Sequence, residues 1–235
     1  MPLTYAPDKL DSPSLNYAHF QAFLKRLRAR FPDKFSYMVC GEYGETNPAT
    51  GVKDGGIYRP HFHAILFGFD FPEKKPVKLI GQSDLFRSEL LDGLWGFGDC
   101  RIGGVTFESI SYVARYIMKK VTGDLARAHY TLILPTGEII EREPEMFHAS
   151  KNPAIGKRWF LKYGAAAYAH DSVIARGKEM MPPRYYDKLL PEVVRGMVLE
   201  NRIKDGRKRA ADHTDPRNAV REDVVEAGLK QFTRD

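Results

Sequence analysis

Between Leu15 and Phe31 the apolar residues of "LNYAHFQAFLKRLRARF" return every three or four positions, at Phe20, Phe23, Leu24, Leu27 and Phe31. That period predicts an amphipathic helix with a basic outer face, ended by Pro32, whose ring cannot enter a helix interior. A short strand in "PLTY" precedes it. The pattern then changes. "FSYMVCGEYG" and "HFHAILFGF" are apolar runs of strand length, separated by the polar loop "ETNPATGVKDGGIYRP" with its Gly, Pro and Asn. Downstream, "SDLFRSELLDGLW" predicts a short helix with Ser83 as its cap, and "GDCRIGGV" a short strand. "TFESISYVARYIMKKV" predicts a helix closed by Gly123.

Strand, helix, strand, strand, helix, strand, helix is the order of an α+β domain, an antiparallel sheet flanked by helices, over residues 1–125. Residues 126–235 read as a smaller appendage of hairpins and helices. "TLILPTGEIIERE" and "SVIARGKEMM" predict hairpins about Pro-Thr-Gly and Arg-Gly-Lys. "IGKRWFLKYG" predicts a short helix with Gly164 at its C-cap, and "PPRYYDKLL" and "PEVVRGMVLENRIK" predict two more. The last stretch is dense in both charges, and part of its final ~25 residues is expected to be mobile.

Composition adds little and excludes a few classes. The 235 residues carry a net charge of +6 and are 43% hydrophobic, as in ordinary globular proteins, and the basic excess suits a polyanionic partner. Cys40 and Cys100 stand far apart in the sequence and form no metal-binding pair, which suggests a reducing compartment. The start "MPLTYAPDKL" has no apolar core of a signal peptide, and no apolar run approaches the roughly 20 residues of a membrane helix. The expectation is a cytoplasmic protein without a membrane partner.

One feature resists a purely structural account. On a strand, residues two apart share a face, so His61 and His63 present both imidazoles side by side while Phe62 points into the apolar layer. A His-x-His is often no more than two surface histidines. A third ligand changes that, and Glu42 in "CGEYG" lies on the neighbouring strand, with Glu45, past Gly44, as the alternative. Two imidazoles and one carboxylate leave positions open for substrate, as a catalytic metal requires. Mg or Mn suits a phosphodiester, although imidazoles also accept Zn, Co or Ni.

Tyr112 and Tyr116 are four residues apart, about 40° around a helix, so they project as neighbours. Lys119 falls on the same stripe and Lys120 at its edge. A tyrosine hydroxyl can attack a phosphodiester and become esterified to it, and a lysine can stabilise the charge there. A second tyrosine allows another cut while the first remains joined to DNA.

The combination of "RPHFHAILFG" and "YVARYIMKK" resembles the HUH endonucleases, whose fold is a ferredoxin- or RRM-like antiparallel sheet. Within them the chain is most similar to replication initiators of small single-stranded DNA phages, the Microviridae of gokushovirus type. "LTY", "FLKRLR", "CGEYG", "RWFLKYG" and "PPRYYDKLL" extend the resemblance over nearly the whole chain. It implies His61, His63 and Glu42 as metal ligands, Tyr112 and Tyr116 as nucleophiles, and Lys119 or Lys120 as the nearby lysine. The implied reaction is origin nicking through a 5′-phosphotyrosine, leaving a 3′-hydroxyl for host polymerase and starting rolling-circle replication in the host bacterial cytoplasm. The second tyrosine would cut at the end of a round, and the genome would be closed into a circle. The resemblance also implies a longer first strand and an upstream segment than "MPLTYAPDKL" provides, with Thr4 and Tyr5 marking the first motif. With no Walker-type loop in the sequence, a borrowed host helicase is expected.

Three alternatives compete. A barrel-type His-x-His hydrolase needs further histidines at strand ends and a longer alternating chain, and is rejected. A non-catalytic module that stacks single strands on exposed aromatics predicts binding indifferent to metal and to Tyr112. A relaxase or single-strand transposase of the same nuclease class fits the paired tyrosines and C-terminal segments less well.

Overall fold

The computed structural model describes residues 1–45, 51, 58–77, 85–115, 120–134 and 136–231. The chain divides into two compact units, Met1–Ile155 and Gly156–Asp235.

In the first unit β1 (Pro2–Leu3) leads to helix α1 (Tyr17–Arg30), then to the long strands β2 (Ser36–Tyr43) and β3 (Pro60–Phe67). Helix α1 begins where the Asn16 side chain accepts a hydrogen bond from the Ala18 amide at 3.0 Å, and Arg28 and Arg30 in its last turn complement the helix dipole. Phe20, Phe23, Leu24 and Leu27 are its buried stripe, as the period predicts. Next come β4 (Lys75–Val77), β5 (Leu85–Arg87), α2 (Glu89–Trp95) and β6 (Ile102–Gly103), with β4, β5 and β6 forming a small antiparallel sheet. Helix α3 is described over Phe107–Arg115, and α4 (Leu125–Tyr130), β7 (Thr131–Ile133), β8 (Ile139–Glu141) and β9 (Met146–Ala149) complete the unit.

The principal sheet has the order β1-β3-β2-β9. Its neighbours are antiparallel throughout, with Cys40 opposite His63 and Glu42 opposite His61. Alternation sorts the side chains. Phe62, Ala64 and Leu66 of β3 join Val39 and Tyr43 of β2 in the main core with α1 and α2. Met38, Cys40 and Ile65, from the opposite face, cluster with Val113 of α3. Glycine at position 41 has a packing reason: a Cβ there would come 3.0 Å from Leu15 and 3.1 Å from Phe62, tighter than most real Cβ contacts, so those side chains would have to give way. The histidines thus lie on the face away from the main core.

Several expectations need correction. The cap of α2 is Ser88, whose hydroxyl accepts from the Leu91 amide at 2.9 Å. Ser83 lies outside the described residues. Residues 85–87, expected to be helical, pair instead as a strand with β4 and β6. Lys120 and Val121 are already non-helical, so Gly123 does not close α3; it adopts the left-handed conformation (φ 74°) just ahead of α4. Strand β9, which no local pattern announces, pairs with β2 inside the compact unit Met1–Ile155.

The second unit holds α5 (Lys157–Ala169), the hairpin β10 (Val173–Ala175) and β11 (Lys178–Met180), α6 (Arg184–Asp187), α7 (Glu192–Lys208) and α8 (Asp215–Gln231). The hairpin turns at Arg176 and Gly177, both with positive φ (54° and 72°), as its Arg-Gly-Lys sequence leads one to expect. Gly164 is not a C-cap. Helix α5 continues through it to Ala169, and its missing side chain admits the Phe160 ring, 2.8 Å from where a Cβ would stand. Most of the charge-dense end, expected to be partly mobile, is the regular helix α8.

Candidate active site

Strands β2 and β3 place Glu42 directly across from His61, and the two-residue strand period adds His63 on the same face. Glu42 Oε1 lies 2.9 Å from His61 Nε2 and 2.8 Å from His63 Nε2, and the two nitrogens are 3.1 Å apart. Glu42 is buried, and the imidazoles are partly accessible. Glu45 is exposed beyond the end of β2, so Glu42 is the carboxylate that the register brings to the histidines.

This triangle fits a cation better than protons. One proton bridges only two of the three atoms. His61 Nδ1 lies 3.2 Å from the Arg59 carbonyl oxygen, which can only accept. In the neutral ring a proton held on Nδ1 therefore leaves the Nε2 lone pair for a cation shared with Glu42, whereas in the metal-free cationic ring Nε2 also carries a proton and donates to Glu42. Ligands bonded at about 2.0–2.2 Å in adjacent positions around one divalent ion are about 3.0 Å apart, which matches all three sides. Arg59 is itself anchored, its guanidinium donating to the Tyr5 carbonyl oxygen at 2.6 Å. The "LTY" segment therefore supports the "RPHFH" strand through one arginine.

The electrostatics agree with a ligand role. Burial opposes the Glu42 charge, but hydrogen bonds with His61 and His63 and their charge outweigh it and hold the carboxyl down to about 2. Burial pushes His63 below the usual imidazole value, helped by the charge of His61 and opposed by Glu42. A neutral imidazole and an ionised carboxylate are the ligand forms.

Helix α3 brings Tyr112 to this cluster. Its ring meets the His63 imidazole in a T, with centroids 5.9 Å apart and planes at 83°, while Val113 turns into the small core beside Ile65. The Arg115 guanidinium stands 5.7 Å from the centroid of the same tyrosine ring. Tyr112 remains 48% accessible, open to a large substrate. His63 and Tyr112 also border a cavity of about 400 Å³ whose walls include Phe69, Lys74 and Ile102.

Tyr116 and Lys119 lie outside the described residues. Lys120 does not join the histidine cluster's cavity; it is exposed and borders another, with Tyr17, Glu143 and His148. The next residue explains its course. The Val121 amide donates to the Tyr130 hydroxyl at 3.0 Å, and Tyr130 in turn donates to the buried Glu145. Sequence reasoning missed Arg59 and Arg115. Arg59 could have been suspected from its place beside the histidines in "RPHFH", but its use of a backbone carbonyl leaves no mark in the sequence.

The sheet, the His-x-His strand with its carboxylate and the helix-borne tyrosine define an antiparallel α+β protein with a candidate site for a metal ion. A family model described as replication-associated protein ORF2/G2P matches residues 1–121, and the chain belongs to that family. It is 32% identical over 201 residues to replication-associated protein VP4 of Bdellovibrio phage phiMH2K, covering 78% of this chain and 55% of that protein. With replication-associated protein ORF4 of Chlamydia phage 1 it shares 30% identity over 203 residues, 82% of this chain and 45% of that one. Replication-associated protein ORF2 of Spiroplasma virus 4 is 25% identical over 226 residues, 90% of this chain and 63% of that protein. The chain thus spans about half the length of the first two relatives. No solved structure matches it. No helix among the described residues is long and apolar enough to cross a membrane.

Proposed function

We propose that this chain nicks and rejoins DNA to begin and end rolling-circle replication of a phage genome, with Glu42, His61 and His63 holding Mg or Mn at the scissile phosphate. The observation that carries the reading is the contact of Tyr112 with His63, a phenol beside an imidazole–carboxylate triangle of metal-ligand dimensions.

A bound divalent ion supplies Lewis-acid polarisation of a non-bridging phosphate oxygen. The protein supplies the nucleophile. Tyr112 Oη attacks phosphorus and loses its proton, the P–O3′ bond breaks, and the departing O3′ takes up a proton as a free hydroxyl. The 5′-phosphate stays on the chain as a tyrosine ester. One phosphodiester is exchanged for another, so the cut stores the energy for rejoining: a 3′-hydroxyl attacks the phosphotyrosine, and the phenol departs. Tyr116, four residues further along the sequence, is the second nucleophile. Lys119 is the preferred lysine for the phosphate, because Lys120 borders a different cavity. The 3′-hydroxyl primes host polymerase, and host helicase opens the duplex.

The test uses labelled single-stranded DNA carrying the replicon's origin, with Mn or with EDTA, resolved on denaturing gels. A metal-dependent protein–DNA adduct that disappears in Tyr112→Phe/Tyr116→Phe is expected. Cleavage without any adduct would mean hydrolysis and remove the tyrosines from the chemistry.

A further inference from the structure

We propose that the second compact unit carries a sequence-tolerant platform for single-stranded DNA on the aromatic and basic face of α5 and α6. It lies outside the metal triangle and does not depend on it.

Three rings form a row. Trp159 stacks on Tyr186 with centroids 5.5 Å apart and planes at 12°, and meets Tyr163, one helical turn further on, at 5.5 Å. Large aromatic rings ordinarily bury their faces, yet Trp159 is 41% and Tyr163 44% accessible. The row is firmly backed: Phe160, from the inner side of α5, packs on Gly164 and reaches the Tyr186 ring at 5.3 Å.

The charges carried by α5 have one sign. Helix α5 reads "KRWFLKYGAAAYA", with Lys157, Arg158 and Lys162 exposed and no acid anywhere in it. Arg184 and Lys188 add exposed cations beside Tyr186. The acid between them, Asp187, is buried and already accepts from Tyr168 at 2.5 Å and Arg202 at 2.9 Å. Lys162 Nζ stands 5.0 Å from the Tyr163 ring centroid, so cation and ring form one contact surface.

Exposed rings flanked by the cations of α5 suit a ligand that offers flat apolar faces and a regular run of negative charge. Unpaired nucleotides offer both: bases stack on Trp159 and Tyr163 while phosphates meet the flanking cations. Duplex DNA hides its base faces and offers only the charge.

The test uses the full chain in EDTA, which keeps metal-dependent cleavage silent, and a labelled oligo(dT) of about 20 nucleotides, long enough for the usual site size. The sequence has two tryptophans, and Trp95 is wholly buried, so quenching of tryptophan emission reports on Trp159. Oligo(dT) is expected to quench it. By anisotropy, Trp159→Ala and Tyr163→Ala should each weaken binding about 5- to 150-fold, with Trp159→Phe recovering most of it. Lys162→Glu, on an exposed side chain, should weaken binding and flatten its logarithmic salt dependence by at least about 0.7. Binding without quenching, unchanged affinity in both Trp159→Ala and Lys162→Glu, or equal competition by a duplex of the same length would each overturn the platform. So would a stable oligomer of the chain that takes up no oligo(dT). Loss of nicking on the gels would leave these results untouched, and the reverse holds as well.

Discussion

The rings of His63 and Tyr112 stand perpendicular, 5.9 Å between centroids, one from a sheet strand and one from the helix that covers the same face. Their contact joins two parts of the sequence that no local pattern connects. It also makes the two groups separable by experiment, because one is a candidate ligand and the other a candidate nucleophile.

Tyr112→Phe removes one hydroxyl and keeps the ring. Manganese binding and thermal stability should therefore stay close to the parent, while the single-turnover nicking rate with Tyr116 also replaced falls at least about 10³-fold, some 4 kcal/mol of barrier. A parallel loss of metal affinity would show that the phenol acts through the site's structure instead.

Manganese at 100 times its dissociation constant should stabilise the first unit by about 2.7 kcal/mol, a rise of about 5–10 °C in melting temperature. Calorimetry with and without EDTA reads this directly. His61→Ala/His63→Ala should abolish the rise, and Glu42→Gln, which keeps the shape and removes the charge, should reduce it strongly. An undiminished rise in the double variant would place the ion elsewhere.

The pH dependence of that affinity follows from the ligands. Glu42 is held down to about 2, so it remains ionised across the working range. His63 lies below the ordinary imidazole value, so it stays neutral and able to bind metal as the pH falls past about 6.5, and is lost only when it takes up its proton at lower pH. In His61→Ala, where His63 is the remaining imidazole of the cluster, manganese titrations by calorimetry should show residual affinity retained just below pH 6.5 and declining as acid is added further. A decline already complete near neutrality would contradict the depressed imidazole.

In the second unit Arg202 forks onto Asp171 at 2.6 and 2.7 Å and donates to Asp187 at 2.9 Å. Burial raises the Asp187 pKa, but hydrogen bonds from Arg202 and Tyr168 outweigh it and bring the group below 3.8. A depressed carboxyl contributes stability that is fully present above about pH 3.9, its unfolded value, and lost as the pH falls through the lower folded one. Arg202→Met should cost about 2–3 kcal/mol near neutrality and flatten the stability profile of this unit below pH 4. Urea melts at several pH values would expose an unaltered profile.

The two faces of β3 should respond differently. Phe62 is wholly buried among Phe20 and Trp95, and Phe62→Ala should cost about 3–5 kcal/mol. His61→Ala, on the accessible face, should cost less than about 1 kcal/mol in the absence of metal. Chemical denaturation of the two variants side by side makes the comparison.

Much of this was legible in the residue pattern. The helix over Tyr17–Arg30 carries a period that a helix satisfies, the strands around Cys40 and His63 are apolar runs of strand length on either side of a polar loop, and the turn at Arg176 and Gly177 carries its own chemistry. The elements that were missed or misplaced depend on distant partners. Strand β9 is held by pairing with β2, and residues 85–87 become a strand because β4 and β6 flank them. Ser88 displaces Ser83 because its hydroxyl meets the Leu91 amide, and Gly164 sits inside a helix because Phe160 needs its space.

The candidate site divides along the same line. By itself the sequence determined that His61 and His63 share a face, because a strand repeats every two residues, while the expected stripe of Tyr112 and Tyr116 ends on a residue outside those described. Only the tertiary structure decided that Glu42, not Glu45, stands across from His61, that Tyr112 reaches His63, and that Lys120 turns to another cavity. Those outcomes depend on strand register and on how a helix lies across a sheet, which are set by contacts between residues far apart in the chain and written in no single segment of it.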